Sequence, residues 1–210
     1  MLPTHALAGM AMALPLFAVA PELAPVGLVA GLLGGVVPDL DMYAGHRKTL
    51  HYPVYYSVAA VPATLLAMVF PSAVTVAVAL FLLGAALHAV SDVFGSGLEL
   101  RPWEGNSTRA VYDHFWGRWI PPRRTIRYDG SPEDLAVSVA FGLPLLYAVE
   151  TTLQLIVIAA LVIALAYTLL RRRLADLAPV VADLLPTTVR PYVPDRYLSD
   201  VDAVGSPRSR

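Results

Sequence analysis

Six apolar segments, each 15 to 18 residues long, constrain the fold of this chain more than any other feature. They cover residues 2–19, 23–37, 54–69, 73–90, 135–149 and 153–170. Eighteen helical residues at 1.5 Å each extend about 27 Å, close to the hydrocarbon thickness of a bilayer. With 57% hydrophobic and 15% charged residues, the composition does not suit a soluble globule. The segments predict an all-α, polytopic membrane helix bundle with about six transmembrane helices.

The polar segments divide the chain further. Residues 1–173 are predicted to form the transmembrane domain, including a loop domain at residues 94–132 that is rich in arginine and tryptophan. Residues 174–210 are predicted to be a tail that is partly disordered, because its end is rich in proline. One helix through both of the last apolar segments would be about 54 Å long, so two spans are expected to turn near Glu150.

The distribution of basic residues predicts the orientation of these spans. Of the 15 Lys and Arg residues, two lie between the second and third spans, six in the loop 94–132 and seven from Arg171 onward. The other side of the predicted bundle has none. Because basic loops stay on the cytoplasmic side, both termini and the loop domain are expected to be cytoplasmic.

Ionisable residues gather at the ends of the apolar segments that this topology brings to one face. The group comprises His5, Asp39, Asp41, His51, His88 and Asp92. Such residues are costly to desolvate, so they pair, line a wet cavity or bind a metal. Because the chain has no cysteine, a metal must be held by imidazole and carboxylate. This donor set predicts one or two divalent transition metal ions, zinc first and manganese or iron next, before calcium or magnesium.

Local spacing agrees with a shared site but also allows simpler explanations. His88 and Asp92 are four residues apart on a predicted helix, so both side chains share one face. Asp39 and Asp41 follow Pro38, which predicts an irregular turn that can aim both carboxylates at one centre. Alone, the first pair is typical of a hydrogen-bonded helix end, and the second is typical of turn or cap carboxylates. Their placement on one face favours the metal site.

Neighbouring residues are candidates for other roles. His46 is a candidate ligand, general acid or supporting residue, and Arg47 is a candidate phosphate clamp. A topology signal is the favoured interpretation of Arg47, with Lys48 beside it, because basic residues are expected in a cytoplasmic loop. Four loop residues could extend the site, although solvated positions are the simpler expectation: Glu99, Glu104, Asp113 and His114. The three tryptophans suit a membrane-interface belt: Trp103, Trp116 and Trp119.

The order and spacing of these motifs resemble the YdjM-like family of membrane-bound, metal-dependent hydrolases. The matching motifs are Thr4-His5, Pro38-Asp39-Leu40-Asp41, Gly45-His46-Arg47 with His51, and His88-x-x-x-Asp92. The resemblance covers roughly the first hundred residues and implies hydrolase activity. Leu50, Tyr52 and Gly95 stand where that family carries hydroxyl residues, so the differences affect substrate orientation more than metal binding.

Two functions from different classes follow from the sequence. The first is an integral membrane metal-dependent hydrolase that acts at the cytoplasmic lipid interface on a phosphoester of a lipid or other amphiphile. The alternative is a non-enzymatic membrane protein with a structural metal site or an ion-binding role. Expected partners are membrane lipids and not nucleic acid, because the net charge is -1. The sequence does not predict the oligomeric state.

Overall fold

Seven α-helices and one two-stranded sheet make up the computed structural model, which describes residues 1–198. The helices are α1 (Leu2–Ala11), α2 (Leu16–Val19), α3 (Ala24–Val36), α4 (Pro53–Val69), α5 (Ala73–Ser91), α6 (Pro132–Ala148) and α7 (Thr151–Leu184). Short 3₁₀ turns connect several of them. The break between α6 and α7 falls at Val149 and Glu150, which confirms the predicted turn.

Four segments of the described chain are long and apolar enough to cross a membrane. They are Leu2–Val19, Pro21–Met42, Ala73–Phe94 and Thr151–Leu184. The other two predicted spans correspond to α4 and α6, which have 17 residues each and contain Pro62 and Pro144. The prediction of a mainly helical fold with several helices of membrane-spanning length is therefore confirmed, and the count of six spans stays a prediction.

Glycines bring α1, α3 and α5 into backbone contact. A Cβ added to Gly31 of α3 would overlap the carbonyl oxygen of Gly9 of α1. One added to Gly34 would overlap the carbonyl oxygen of Phe81 of α5. Small residues at helix crossings are the usual means of close approach in membranes, where van der Waals packing holds helices together. The three helices thus form the tight centre of the bundle.

The loop domain contains a short hairpin, so the all-α prediction needs a correction. Strands β1 (Val111–Asp113) and β2 (Arg118–Ile120) pair antiparallel, with Val111 opposite Ile120. Gly117 has a φ of +64°, which glycine adopts at little cost in the turn between them. The backbone N–H of Tyr112 donates to the carbonyl of Arg47 at 2.9 Å. The hairpin therefore lies against the polar end of the bundle.

Helix α7 is longer than the sequence predicted. It continues to Leu184, past the predicted end of the transmembrane domain at residue 173. Arg171, Ala175 and Ala182 are buried, and their spacing of four and seven residues places them on one helix face. This packed face continues the helix beyond the boundary predicted at residue 173. The predicted disorder of the tail concerns in part residues 199–210, which lie outside the described residues.

Candidate metal centre

Four of the predicted ligands converge at one end of the bundle. Asp39 comes from the 3₁₀ helix Val37–Tyr43 that follows α3, and His51 comes from the loop before α4. His88 lies on the last turn of α5, and Asp92 follows directly after it. Each offers one ligand atom, and these atoms lie within 4.8 Å of one another. The group could hold a metal ion.

Most separations between these four donors fall in a narrow range. The two imidazole Nε2 atoms of His51 and His88 are 3.2 Å apart. From Asp39 Oδ1, the distances to them are 3.6 and 3.4 Å, and from Asp92 Oδ2 they are 3.2 and 3.6 Å. Tetrahedral ligands at about 2.0–2.2 Å from zinc would be about 3.3–3.6 Å from each other. The donor spacing therefore fits a small divalent ion.

Hydrogen bonds behind the two imidazoles orient them toward the centre. His88 Nδ1 lies 2.7 Å from the carbonyl oxygen of Gly35, an acceptor, so Nδ1 carries a proton and donates it. His51 Nδ1 lies 3.0 Å from Asp41 Oδ2. Partners of this kind fix the ring and leave Nε2 facing the ion in histidine–metal sites. Both histidines are fully buried, so the arrangement is held by packing as well.

The centre attracts positive charge. Asp92 is 2% exposed, and its Oδ2 accepts no hydrogen bond within the described chain. This oxygen lies 3.4 Å from Arg47 Nε and 3.2 Å from His51 Nε2, and a bound ion would satisfy it directly. Burial alone would lower the pKa of His51, but its hydrogen bond to Asp41 and the charge of Asp92 raise that pKa to about 9. A proton on His51 therefore offsets part of the negative charge of the carboxylates when no ion is bound.

Asp41 and His5 lie next to the four donors instead of among them. Both oxygens of Asp41 are engaged, Oδ2 with His51 Nδ1 and the Leu50 N–H, and Oδ1 with the Arg47 N–H and His46. The group of four donors includes neither Asp41 nor His5, and the role of these two residues as direct ligands stays a prediction. His5 Nε2 contacts Ser91 Oγ at 3.1 Å and lies 3.6 Å from Asp92 Oδ1. Both residues support the ligands from behind.

His46 and Arg47 flank the centre on its loop side. His46 Nδ1 lies 3.1 Å from Asp41 Oδ1. Burial lowers the pKa of His46 more than the hydrogen bond to Asp41 raises it, and the charges of Arg47 and Arg196 lower it further. Arg47 donates from Nη1 to the carbonyl of Ser96 at 2.6 Å, and its Nε lies 3.4 Å from Asp92 Oδ2.

The four loop candidates have other partners. Asp113 accepts backbone N–H bonds from residues 115 and 116 in the hairpin turn. The ring of His114 contacts the carbonyl of residue 48 at 2.6 Å. Glu104 pairs with Asn106, whereas Glu99 lies 3.5 Å from a guanidinium nitrogen of residue 124 and also borders the cavity described next.

A cavity of about 990 Å³ opens beside the metal centre. Asp39, Asp92, His46 and Arg47 lie on its polar side. Its long wall is the apolar face of α7, from residue 156 to residue 182. A polar end with an apolar groove suits an amphiphile.

Two buried polar clusters near the cavity were missed from the sequence. In the first, Thr4 Oγ1 contacts Ser138 Oγ at 2.8 Å and also donates to Asp134. In the second, Arg171 of α7 donates to the Asp129 carbonyl at 3.2 Å and ties the helix to the loop domain. Asp134 and Arg171 sit at predicted segment ends, where a capping or topology role is the ordinary expectation, so only the long-range partners reveal them.

Comparisons with models of protein families, with curated proteins and with solved structures give no match. What the centre can bind is set by its two imidazole nitrogens, its two carboxylate oxygens and their supporting hydrogen bonds. Such a donor set suits divalent transition ions.

Proposed function

We propose that this chain is an integral membrane, metal-dependent hydrolase that cleaves a phosphoester of a lipid or another amphiphile. The observation that carries the proposal is the cluster of four buried donors, spaced for one ion, at the polar end of an apolar cavity. The motif order that resembles the YdjM-like hydrolases supports the same reaction class. Zinc is the proposed ion because the spacing suits tetrahedral N and O ligands, with manganese or iron next.

The proposed roles follow from where each side chain lies. When bound, the ion supplies a hydroxide nucleophile near neutral pH and polarises a phosphoryl oxygen. Arg47 borders the cavity and adds positive charge next to Asp92, where charge develops on the phosphoryl group. His46 borders the cavity too, and its Nε2 is available for proton transfer because Nδ1 faces Asp41. The apolar wall of α7 excludes water and positions the chain of the substrate.

A structural metal site is the second candidate, and one observation favours it. Four protein donors can complete a tetrahedron, as they do in structural zinc sites, whereas catalytic sites keep a position open. Against this, Asp39 and Asp92 line the cavity, and the Asp39 side chain is 16% exposed. The centre therefore has a face toward a space that a substrate can enter, and we favour the hydrolase.

The proposal is tested by measuring substrate hydrolysis by wild type and variants at equal metal content. Phospholipids and lipid phosphates are offered in mixed micelles, and released headgroup or phosphate is measured. Asp39→Ala should lose the ion and nearly all turnover. Arg47→Ala should keep the ion and lose about 10²-fold in rate, and Arg47→Lys should recover part because it keeps charge without the bidentate fork. If metal-loaded wild type cleaves none of these substrates, the structural site becomes the better account.

The proposed location is the cell membrane, with both termini and the metal centre on the cytoplasmic side, supported by the distribution of Lys and Arg. Single cysteines at Glu22 and Glu150 should react with an impermeant thiol reagent only from outside intact cells. Both positions are exposed, and each lies at the end of the bundle opposite the metal centre in the proposed topology. Labelling of either one only from the cytoplasmic side would reverse the orientation.

A further inference from the structure

A second cavity, of about 440 Å³, adjoins the first. One of its walls is the loop after the 3₁₀ helix Val37–Tyr43, and another is formed by residues 191–194 and Arg196, which follow α7. Four residues border both cavities: Met42, His46, Val193 and Arg196. The two spaces therefore meet beside the metal centre, one with an apolar wall and the other formed by loops.

The smaller cavity carries positive charge. The cations of Lys48 and Arg196 line it, and none of the described residues that line it is acidic. By contrast, the larger cavity has the carboxylates of Asp39 and Asp92 on its wall. Among the described residues, this concave site has two cations and no carboxylate, which makes it complementary to an anion.

Arg196 has unused hydrogen-bonding capacity. Its Nε is buried and donates no hydrogen bond within the described chain, while its guanidinium lies 4.8 Å from the Tyr197 ring centre. Arg47 differs, because its Nη1 donates to Ser96 and its Nε lies beside Asp92. A buried donor without an acceptor is costly, so Arg196 has the most to gain from an incoming anionic group.

We propose that the smaller cavity binds the anionic, phosphate-type headgroup of an amphiphile whose chain lies along α7 in the larger cavity. Arg196 and Lys48 are the recognising cations, and the segment after α7 is thereby part of the substrate site. This inference rests on the proposed function and names its substrate class. His46 borders both cavities, and its Nδ1 lies 3.9 Å from Asp39 Oδ1. A chain and a headgroup seated in this way therefore bring the bond between them close to the metal centre.

Binding of dodecylphosphonate tests the inference without turnover, because its P–C bond is not hydrolysed. Protein in dodecyl maltoside is titrated by calorimetry, with the uncharged detergent as built-in competitor. Arg196→Gln should weaken binding about 10-fold, the usual effect of losing one charge-assisted hydrogen bond. Arg196→Lys should recover part of it. Arg173→Gln is the matched control, since it removes one exposed charge of α7 that lines neither cavity.

The outcomes are distinct. The inference would be overturned if Arg196→Gln bound dodecylphosphonate as tightly as wild type, with unchanged metal content and elution volume. It would also be overturned if wild type showed no saturable binding. Inorganic phosphate that binds as tightly as dodecylphosphonate would show a site for free phosphate and overturn the amphiphile assignment. Arg196-dependent binding together with no turnover of any phosphoester would support the anionic subsite and remove only the hydrolase proposal.

Discussion

Helices α5 and α7 are both strongly apolar, but they have different roles in the structure. The spans that contain them have mean hydropathies of 2.3 and 2.6. In the most apolar stretch of the α5 span 44% of the residues are buried inside the protein, whereas in that of the α7 span only 11% are. Helix α5 packs against α1, α3 and α4 and carries His88, while α7 packs mainly on α6 and walls the cavity. Hydropathy therefore identifies the helices long and apolar enough to cross a membrane, whereas the glycine contacts show which of them pack closely next to the four donors.

Gly35→Ala should have the largest effect on stability and metal binding. A Cβ on Gly35 would overlap the carbonyl oxygen of His5, and the Gly35 carbonyl itself accepts the His88 hydrogen bond. We expect about 3 kcal/mol of destabilisation, the upper end for overpacking, and loss of bound metal. Thermal unfolding in detergent and metal analysis would measure both.

The control is Gly142→Ala in α6, where the three atoms nearest to the new Cβ all belong to the Leu161 side chain. That side chain can move, and alanine favours helix, so we expect a change near zero. Equal losses in the two variants would mean that the centre of the bundle is no tighter than its α6–α7 edge.

Asp41→Asn should give a smaller effect, because Asp41 orients His51 from behind the centre. Outer partners of metal-bound histidines are worth about 10–100-fold in metal affinity. We expect a loss in that range, without complete loss of the ion, in a competition titration with a chelator. Complete loss would restore Asp41 as a direct ligand, as the sequence predicted.

The pH dependence of metal binding follows from His51. Its pKa, raised to about 9 without metal, means that an ion must displace a proton at neutral pH. Apparent affinity should rise about tenfold per pH unit up to about pH 9 and then level off. Because the folded pKa is raised, metal-free protein should also lose stability as pH rises from about 6.5 to 9. A pH-independent affinity over this range would contradict the assignment of His51.

Leu169→Ala should give the smallest effect. Leu169 is 72% exposed on α7 and lies outside both cavities, so lipid is its expected environment. Exposed substitutions of this kind change stability by about 0.5 kcal/mol or less. A large loss of stability would show that this face of α7 packs against protein instead.

Much of the metal centre could be predicted from the sequence, because charged residues at the ends of apolar segments have few physical explanations. Asp39 and Asp41 show the limit. They lie two residues apart on a 3₁₀ helix, not on an irregular turn, so their side chains leave the axis about 120° apart and only one faces the centre. The spacing of these two residues in the sequence does not by itself predict a 3₁₀ helix. The contacts of Arg171 and the proposed role of Arg196 could not be predicted from the sequence either, because both depend on residues that are distant in sequence.

The central claim is that one transition ion is held by Asp39, His51, His88 and Asp92. Metal analysis and X-ray absorption of the detergent-purified protein test it most directly. We expect one ion per chain with N and O donors at about 2.0–2.2 Å. His88→Ala and Asp92→Ala should lose the ion, and the exposed control Glu104→Ala should keep it. Wild-type protein without bound metal, and without a rise in Tm on adding zinc, manganese or iron, would contradict the account.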